Sequence, residues 1–391
     1  MISRLTIKAG LPEWMAEFFF DNKSLSTIKI VLYLITITAL VSFFIPNVIT
    51  VLTIIPVVHI IVKKLGNNDV KSESKLATLF GLAIIYGANI GGMGSLTGTP
   101  ANGIMLTFMA LNDVAGTEKV TFLTWFIWGI PLVIGMILTA WVVLITVFRP
   151  GKIVKETRID NLGYHIDAKK VKTASTYTIA YFLSSLILSA LMISYPEYSA
   201  YIFWLTLLLS VYFILAFFVK KSDWAEGLSI PMLQIKDCYS NLPMKGFLFV
   251  GLSLVAAGFF YLFSLQDTVA PFLIENLPSG SKEFIIYIVL AITVSFLTEF
   301  MSNTAVQITF LAVLTPLHSL VNFNIVDACL IVTFSSTCAF MSPLATGVNG
   351  LAFGGIKGFT LKPMLITGFI MNIAGAVVIS VMIYFLGDLI F

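Results

Sequence analysis

The stretch TEFMSNTAVQITFLAVLTPL, Thr298 to Leu317, sets a carboxylate, Glu299, and a Ser302-Asn303-Thr304 triplet inside an otherwise apolar run. Hydroxyl and amide side chains can cap helix ends, whose backbone N–H and C=O groups lack intrahelical partners. With freed carbonyls, they also offer oxygen ligands to a hard cation such as Na⁺. The start of a half-helix, carrying partial positive charge, suits an anion beside it. A second copy of the pattern lies upstream. SFFIPNVIT (42–50) laid over TEFMSNTAV (298–306) matches Ser42 with Thr298, Phe44 with Phe300 and Asn47 with Asn303. LTGTPANG (96–103) over PLATGVNG (343–350) matches Thr99 with Thr346, Asn102 with Asn349 and Gly103 with Gly350. Such residues can also fill a kink or hold helices together, but their recurrence at paired breaks favours ligation.

The elements that must position these residues are membrane helices. Hydrophobic residues make up 58% of the 391 positions and charged ones 11%, too little polarity to coat a soluble protein of this size. Apolar runs approach the roughly 20 residues that a helix needs to span about 30 Å of hydrocarbon. The fold class expected is an all-α polytopic membrane protein built as an inverted repeat, with two re-entrant hairpins and two broken helices. Cys238, Cys329 and Cys338 have no metal or redox spacing and read as small packing residues. No signal peptide is expected at the N-terminus, and no nucleic-acid partner anywhere. His59, His165 and His318 read as packing or interfacial residues, and Trp125, Trp128 and Trp204 as members of an interfacial belt.

The organisation expected is an interfacial segment over 1–24, with Trp14, Met15, Phe18 and Phe19 on one face opposite Glu13 and Glu17. A first repeat follows over 25–148, made of hairpin 25–62, broken helix 77–111 and helix 120–148. A cytoplasmic linker covers 149–173. A second repeat covers 174–391, with helices 174–194, 199–219 and 246–265, hairpin 283–321, broken helix 325–354 and helix 363–391. On this scheme 21 of the 23 Lys and Arg residues share one side, leaving Lys119 and Lys282 opposite. The positive-inside rule makes the crowded side cytoplasmic, N-terminus included, in a bacterial or archaeal cytoplasmic membrane.

The motifs SNTA (302–305), ANIGGMGSLTGTPANGIML (88–106) and SPLATGVNG (342–350) resemble those of the divalent anion:sodium symporters, the dicarboxylate, citrate and sulfate transporters. The resemblance spans about residues 10–391 and implies a homodimer of elevator transporters in lipid. It implies a first Na⁺ site at Ser42, Asn47 and Gly98, a second at Thr298, Asn303 and Ala345, and substrate contacts from Asn47, Thr99, Ser302, Asn303, Thr304 and Thr346. The family's first Ser-Asn-Thr reads Pro46-Asn47-Val48 here, and its Thr-Pro-Pro-Asn reads Thr346-Gly347-Val348-Asn349. Several scaffold helices precede the family's first hairpin, where this chain has residues 1–24. The PNVITVLTIIPV stretch is also similar to the arsenite permease and Na⁺/H⁺ antiporter branches, whose Asp at the first tip is replaced by Pro46.

No Lys or Arg stands at either tip or break. A buried dianion without compensation would be unfavourable by many kcal/mol, beyond the roughly 0.3–2 kcal/mol of a helix end. Cations must accompany it, or it must exchange for another dianion. The function expected is secondary transport of a small divalent anion, a C4-dicarboxylate such as succinate, coupled to Na⁺. The alternatives are a Na⁺-independent exchanger, and an antiporter or arsenite-type permease. No enzymatic activity is expected, since Glu299 alone among the acidic residues lies at depth. The charge split makes one testable statement: single cysteines at Asn67 and Lys155 should label with an impermeant maleimide from the cytoplasm, and one at Gly280 from outside. Labelling of position 67 from outside would overturn the hairpin scheme.

Overall fold

The computed structural model describes residues 1–20, 23–66, 69–152, 156–159, 167–225, 228–239, 283–320 and 323–390. The expected helix 246–265 lies outside them. Two short helices, α1 (Ile2–Lys8) and α2 (Leu11–Phe20), lead into a hairpin of α3 (Thr27–Ser42) and α4 (Asn47–Leu65). The first broken helix is α5 (Val70–Met93) and α6 (Pro100–Leu111), followed by α7 (Phe122–Phe148), α8 (Ala168–Ser194), α9 (Ser199–Phe218) and the short α10 (Ile235–Tyr239). A second hairpin joins α11 (Glu283–Leu297) to α12 (Asn303–Leu320). The second broken helix is α13 (Ile325–Thr337) and α14 (Gly347–Gly355), and α15 (Leu361–Ile390) closes the series.

Among the described residues, six helices are long and apolar enough to cross a membrane, and the chain is an all-α polytopic membrane protein. Two two-stranded ribbons decorate it. Lys23–Ser26 pairs antiparallel with Glu156–Ile159, and Lys221–Ala225 with Leu228–Pro231. α4 has 19 residues, about 28 Å at 1.5 Å each, longer than its apolar run because Lys63 and Lys64 extend the last turn. Cations are favoured at that end of a helix.

The core is centred on α5, whose residues from Leu76 to Met93 are all buried. α3 crosses it at close range because Gly87 and Gly91 present bare backbone. A Cβ on Gly87 would fall 2.5 Å from the Ile35 carbonyl oxygen, and one on Gly91 2.2 Å from that of Ala39. Small residues spaced by four open such helix crossings. α2 packs one side against α3. Pro12, Ala16 and Phe20 form the buried stripe, Met15 and Phe19 lean on the core, and Trp14 and Phe18 stack outward at 5.5 Å between centroids. The reason is the neighbour: Tyr33 of α3 takes Phe19 and Phe20 edge-on. Lys8 bridges to Asp237 at 2.7 Å, tying α1 to α10.

The α3–α5 crossing predicts that Gly91→Val destabilises the protein by about 1–3 kcal/mol through overpacking. Gly103→Ala, where an added Cβ meets nothing within 4 Å, should be neutral or slightly stabilising. Thermal unfolding in detergent separates the two, and equal melting temperatures for Gly91→Val and wild type would contradict the crossing.

Candidate functional site

Both broken helices are held by one device. Asn102 Nδ2 donates to the carbonyls of Gly92 (3.1 Å) and Ser95 (2.8 Å), and Asn349 Nδ2 to those of Ala339 (2.8 Å) and Ser342 (2.8 Å). In each half the acceptors stand 10 and 7 residues before the Asn. The end of α5 leaves carbonyls open, and each amide closes two of them from the first turn of the next half-helix. Asn102 and Asn349 are fully buried. The sequence repeat paired these asparagines but carried no sign that they serve the breaks rather than a ligand.

Each hairpin tip leans on its own break. Ser95 Oγ donates to the Phe43 carbonyl at 2.7 Å. In the second half, Ser295 Oγ donates to the Cys338 carbonyl at 3.1 Å, and Glu299 accepts the Met341 and Ser342 N–H groups at 2.8 and 2.7 Å. The halves then interlock. Gln307, one turn into α12, donates to the Ala101 carbonyl at 2.8 Å and to Thr333 Oγ1 at 3.1 Å. On the other side a Cβ on Gly347 would lie 3.6 Å from Val48, and His59 Nε2 lies 3.0 Å from the Gly355 carbonyl. Asn47, Thr99, Asn303 and Thr346 therefore sit at one junction of four half-helix starts.

The residues expected at the first cation site come together. Ser42 Oγ lies 2.6 Å from Asn47 Oδ1 and 2.9 Å from the Ala88 carbonyl. Gly92 provides the floor: a Cβ there would fall 2.3 Å from Thr99 Cγ2 and 3.1 Å from Asn47 Oδ1, and one on Gly98 2.4 Å from the Gly92 carbonyl oxygen. At the second site Thr298 is buried and its hydroxyl turns back to the Ser295 carbonyl at 2.8 Å. Asn303 Oδ1 is buried without a hydrogen-bond partner, as is Thr99 Oγ1. A buried unsatisfied acceptor is unfavourable by about 1–3 kcal/mol, which an oxygen-seeking cation relieves. Ala345 and Thr304 are half-buried and Ser302 is exposed. Thr346 caps α14, its Oγ1 accepting from the Asn349 N–H at 3.0 Å.

Two expectations of side-chain role change. Trp125 and Trp128 are buried rather than belt residues, because α7 roofs the first break. Trp125 Nε1 donates to the freed Met93 carbonyl at 2.9 Å, and both rings pack on Phe334. Trp204 is 61% exposed on α9. Their nearness to a segment end gave no sign of what lay beneath.

A membrane protein with two helical breaks meeting hairpin tips, lined by amides and hydroxyls, has the build of a carrier for small ions and solutes. The family profile described as citrate transporter matches residues 1–233. The chain belongs to this citrate transporter family, and with it to the divalent anion:sodium symporters whose motifs it carries. Curated relatives agree. A sodium-dependent dicarboxylate transporter, SdcS, of Staphylococcus saprophyticus is 27% identical over 374 residues, covering 92% of this chain and 70% of the relative. SdcS of Staphylococcus aureus strain MRSA252 is 27% identical over 387 residues, covering 92% and 69%. A transporter of Haemophilus influenzae named as uncharacterised is 25% identical over 362 residues, covering 90% and 72%.

The geometry separates residues that hold the breaks from residues free to bind. Asn349→Leu leaves the Ala339 and Ser342 carbonyls only their longer bonds, from Asn89 Nδ2 and the Ala345 N–H, both at 3.3 Å, and should lower stability by about 1–3 kcal/mol. Asn303→Ala, which removes an unpartnered oxygen, should leave the melting temperature within about 1 °C while abolishing Na⁺-dependent ligand binding. Wild-type binding by Asn303→Ala would return its triplet to a structural role.

Proposed function

We propose that this transporter moves a small divalent anion, a C4-dicarboxylate such as succinate, across the membrane together with Na⁺. The observation that carries the reading is the junction itself. Two buried, unpartnered oxygens, Asn303 Oδ1 and Thr99 Oγ1, stand at half-helix starts, with no Lys or Arg at any tip or break. Helix starts favour the carboxylates, but dipoles of roughly 0.3–2 kcal/mol each cannot neutralise a dianion. Na⁺ held beside it can. The names of the SdcS relatives, sodium-dependent dicarboxylate transporters, support the same pairing.

In this reading Ser42, Asn47 and Gly98 hold one Na⁺, and Thr298, Asn303 and Ala345 hold another. Asn47, Thr99, Ser302, Asn303, Thr304 and Thr346 meet the carboxylates. Carbonyl and amide oxygens suffice for a hard cation, so Pro46 and Val48 in place of a full first triplet weaken the first site without removing it. The carrier works as a homodimer by an elevator motion, with its N-terminus and the basic loops in the cytoplasm, in a bacterial or archaeal membrane. The chain divides into an inverted repeat over 25–148 and 174–391, joined by the linker 149–173.

The test is succinate affinity of the purified protein, in proteoliposomes or detergent, while Na⁺ is replaced by choline. Affinity should fall at least tenfold as Na⁺ is removed, a change of 1.4 kcal/mol or more. Unchanged affinity would end sodium coupling and leave exchange of one dianion for another. A response to arsenite or to a pH gradient, with no competition by succinate, would favour the antiporter or permease branches.

A further inference from the structure

We infer that Glu299 is the positioning residue of the second cation site, acting through the backbone of the break rather than by touching cation or substrate. This rests on the Na⁺-coupled reading of that site. Glu299 is 2% exposed and directly follows Thr298 at the closed end of the second hairpin. Its oxygens are committed: Oε1 accepts from the Met341 N–H and from Asn372 Nδ2, both at 2.8 Å, and Oε2 from the Ser342 N–H at 2.7 Å.

Ser342 is the knot through which this grip reaches the ion. Its N–H is held by Glu299, its carbonyl takes Asn349 Nδ2 at 2.8 Å and the Ala345 N–H at 3.3 Å, and its hydroxyl takes the Leu344 N–H at 3.1 Å. Fixing the Ser342 peptide therefore fixes Ala345, the backbone ligand assigned to the second Na⁺. The carboxylate is held in turn from α15. Gly368 and Asn372 lie one turn apart there. A Cβ on Gly368 would fall 2.3 Å from Met341 Cα and 2.5 Å from the Phe340 carbonyl oxygen, so α15 presses on the strand of backbone that Glu299 grips.

Among the described residues the first half has no such clamp. Phe43 occupies the matching position, and the tip meets its break through one hydroxyl-to-carbonyl bond, Ser95 Oγ to Phe43 at 2.7 Å. A carboxylate that accepts from two successive peptide N–H groups locks both peptide planes. Glutamine of the same shape cannot, because its NH₂ would face an N–H donor and one plane would have to turn. The consequence falls on cation affinity, not on the groups that read the dianion.

The experiment follows wild type, Glu299→Gln, Glu299→Asp and Asn372→Ala in detergent, titrating NaCl against choline chloride by thermal shift without substrate, then measuring succinate affinity at saturating Na⁺. Losing hydrogen bonds to a charged acceptor predicts that Glu299→Gln raises the half-saturating Na⁺ concentration about tenfold, and Asn372→Ala about threefold. Glu299→Asp should lie between wild type and Gln, and succinate affinity at saturating Na⁺ should stay within about twofold throughout. A lower melting temperature with unchanged half-saturating Na⁺ would make Glu299 a structural residue only. Loss of succinate affinity at saturating Na⁺ would place it against substrate, and either result overturns the inference. If Glu299→Gln does not fold, the same two numbers for Asn372→Ala decide. A wild type that shows no Na⁺-dependent shift would instead overturn the sodium-coupled reading itself.

Discussion

A helix that stops within the membrane leaves backbone carbonyls and N–H groups where no bulk water can meet them. Most of the arrangement around the site is an answer to that constraint. Asn102 and Asn349 each close two carbonyls across a break, Trp125 closes the carbonyl of Met93, and Glu299 closes two N–H groups. What these residues leave open is as informative as what they close. Asn303 Oδ1 and Thr99 Oγ1 remain buried and unpartnered at the junction of the four half-helix starts. Among the described residues other buried polar atoms share that state, Asn102 Oδ1 and Gln307 Oε1 among them, but Asn303 and Thr99 stand at the starts of half-helices, where a bound ion or anion can reach them.

The two halves use the same parts with different emphasis. At the first tip Ser42 Oγ sits against Asn47 Oδ1, so the expected ligands already touch one another. At the second tip Thr298 turns to its own helix and frees the Asn303 oxygen. The first break is roofed by the bulk of Trp125, Trp128 and Phe334, the second by the polar chain Asn372, Glu299 and Ser342. On the proposed Na⁺-coupled reading, repeats that diverge in this way would give two sites of unequal affinity, the weaker beside Pro46 and Val48.

Much of the membrane architecture was legible in hydrophobicity alone, because solvent dictates it: the apolar runs became helices and the all-α class followed. The breaks were legible because Pro, Gly, Asn and Thr clustered where an apolar run should have continued. Helix ends were less so. α4 runs to Leu65 and α5 starts at Val70, in charged turns that an apolar scan discards. Tertiary partners were invisible. Nothing in the spacing of Gln307 pointed to Ala101, of Asn372 to Glu299, or of Trp125 to Met93, since those pairs meet only after helices far apart in sequence have packed. The outward turn of Trp14 and Phe18 was hidden for the same reason, the ring of Tyr33 having claimed the other face of α2.

The central claim is that cation and dianion share one site and hold each other there. Linkage makes this reciprocal: whatever factor Na⁺ adds to dicarboxylate affinity, the dicarboxylate must add to Na⁺ affinity. The direct measurement is equilibrium binding of radioactive Na⁺ to the purified protein with and without saturating succinate. The account predicts tighter Na⁺ binding with succinate, by the factor that Na⁺ confers on succinate binding. Equal Na⁺ affinity in the two conditions would contradict it.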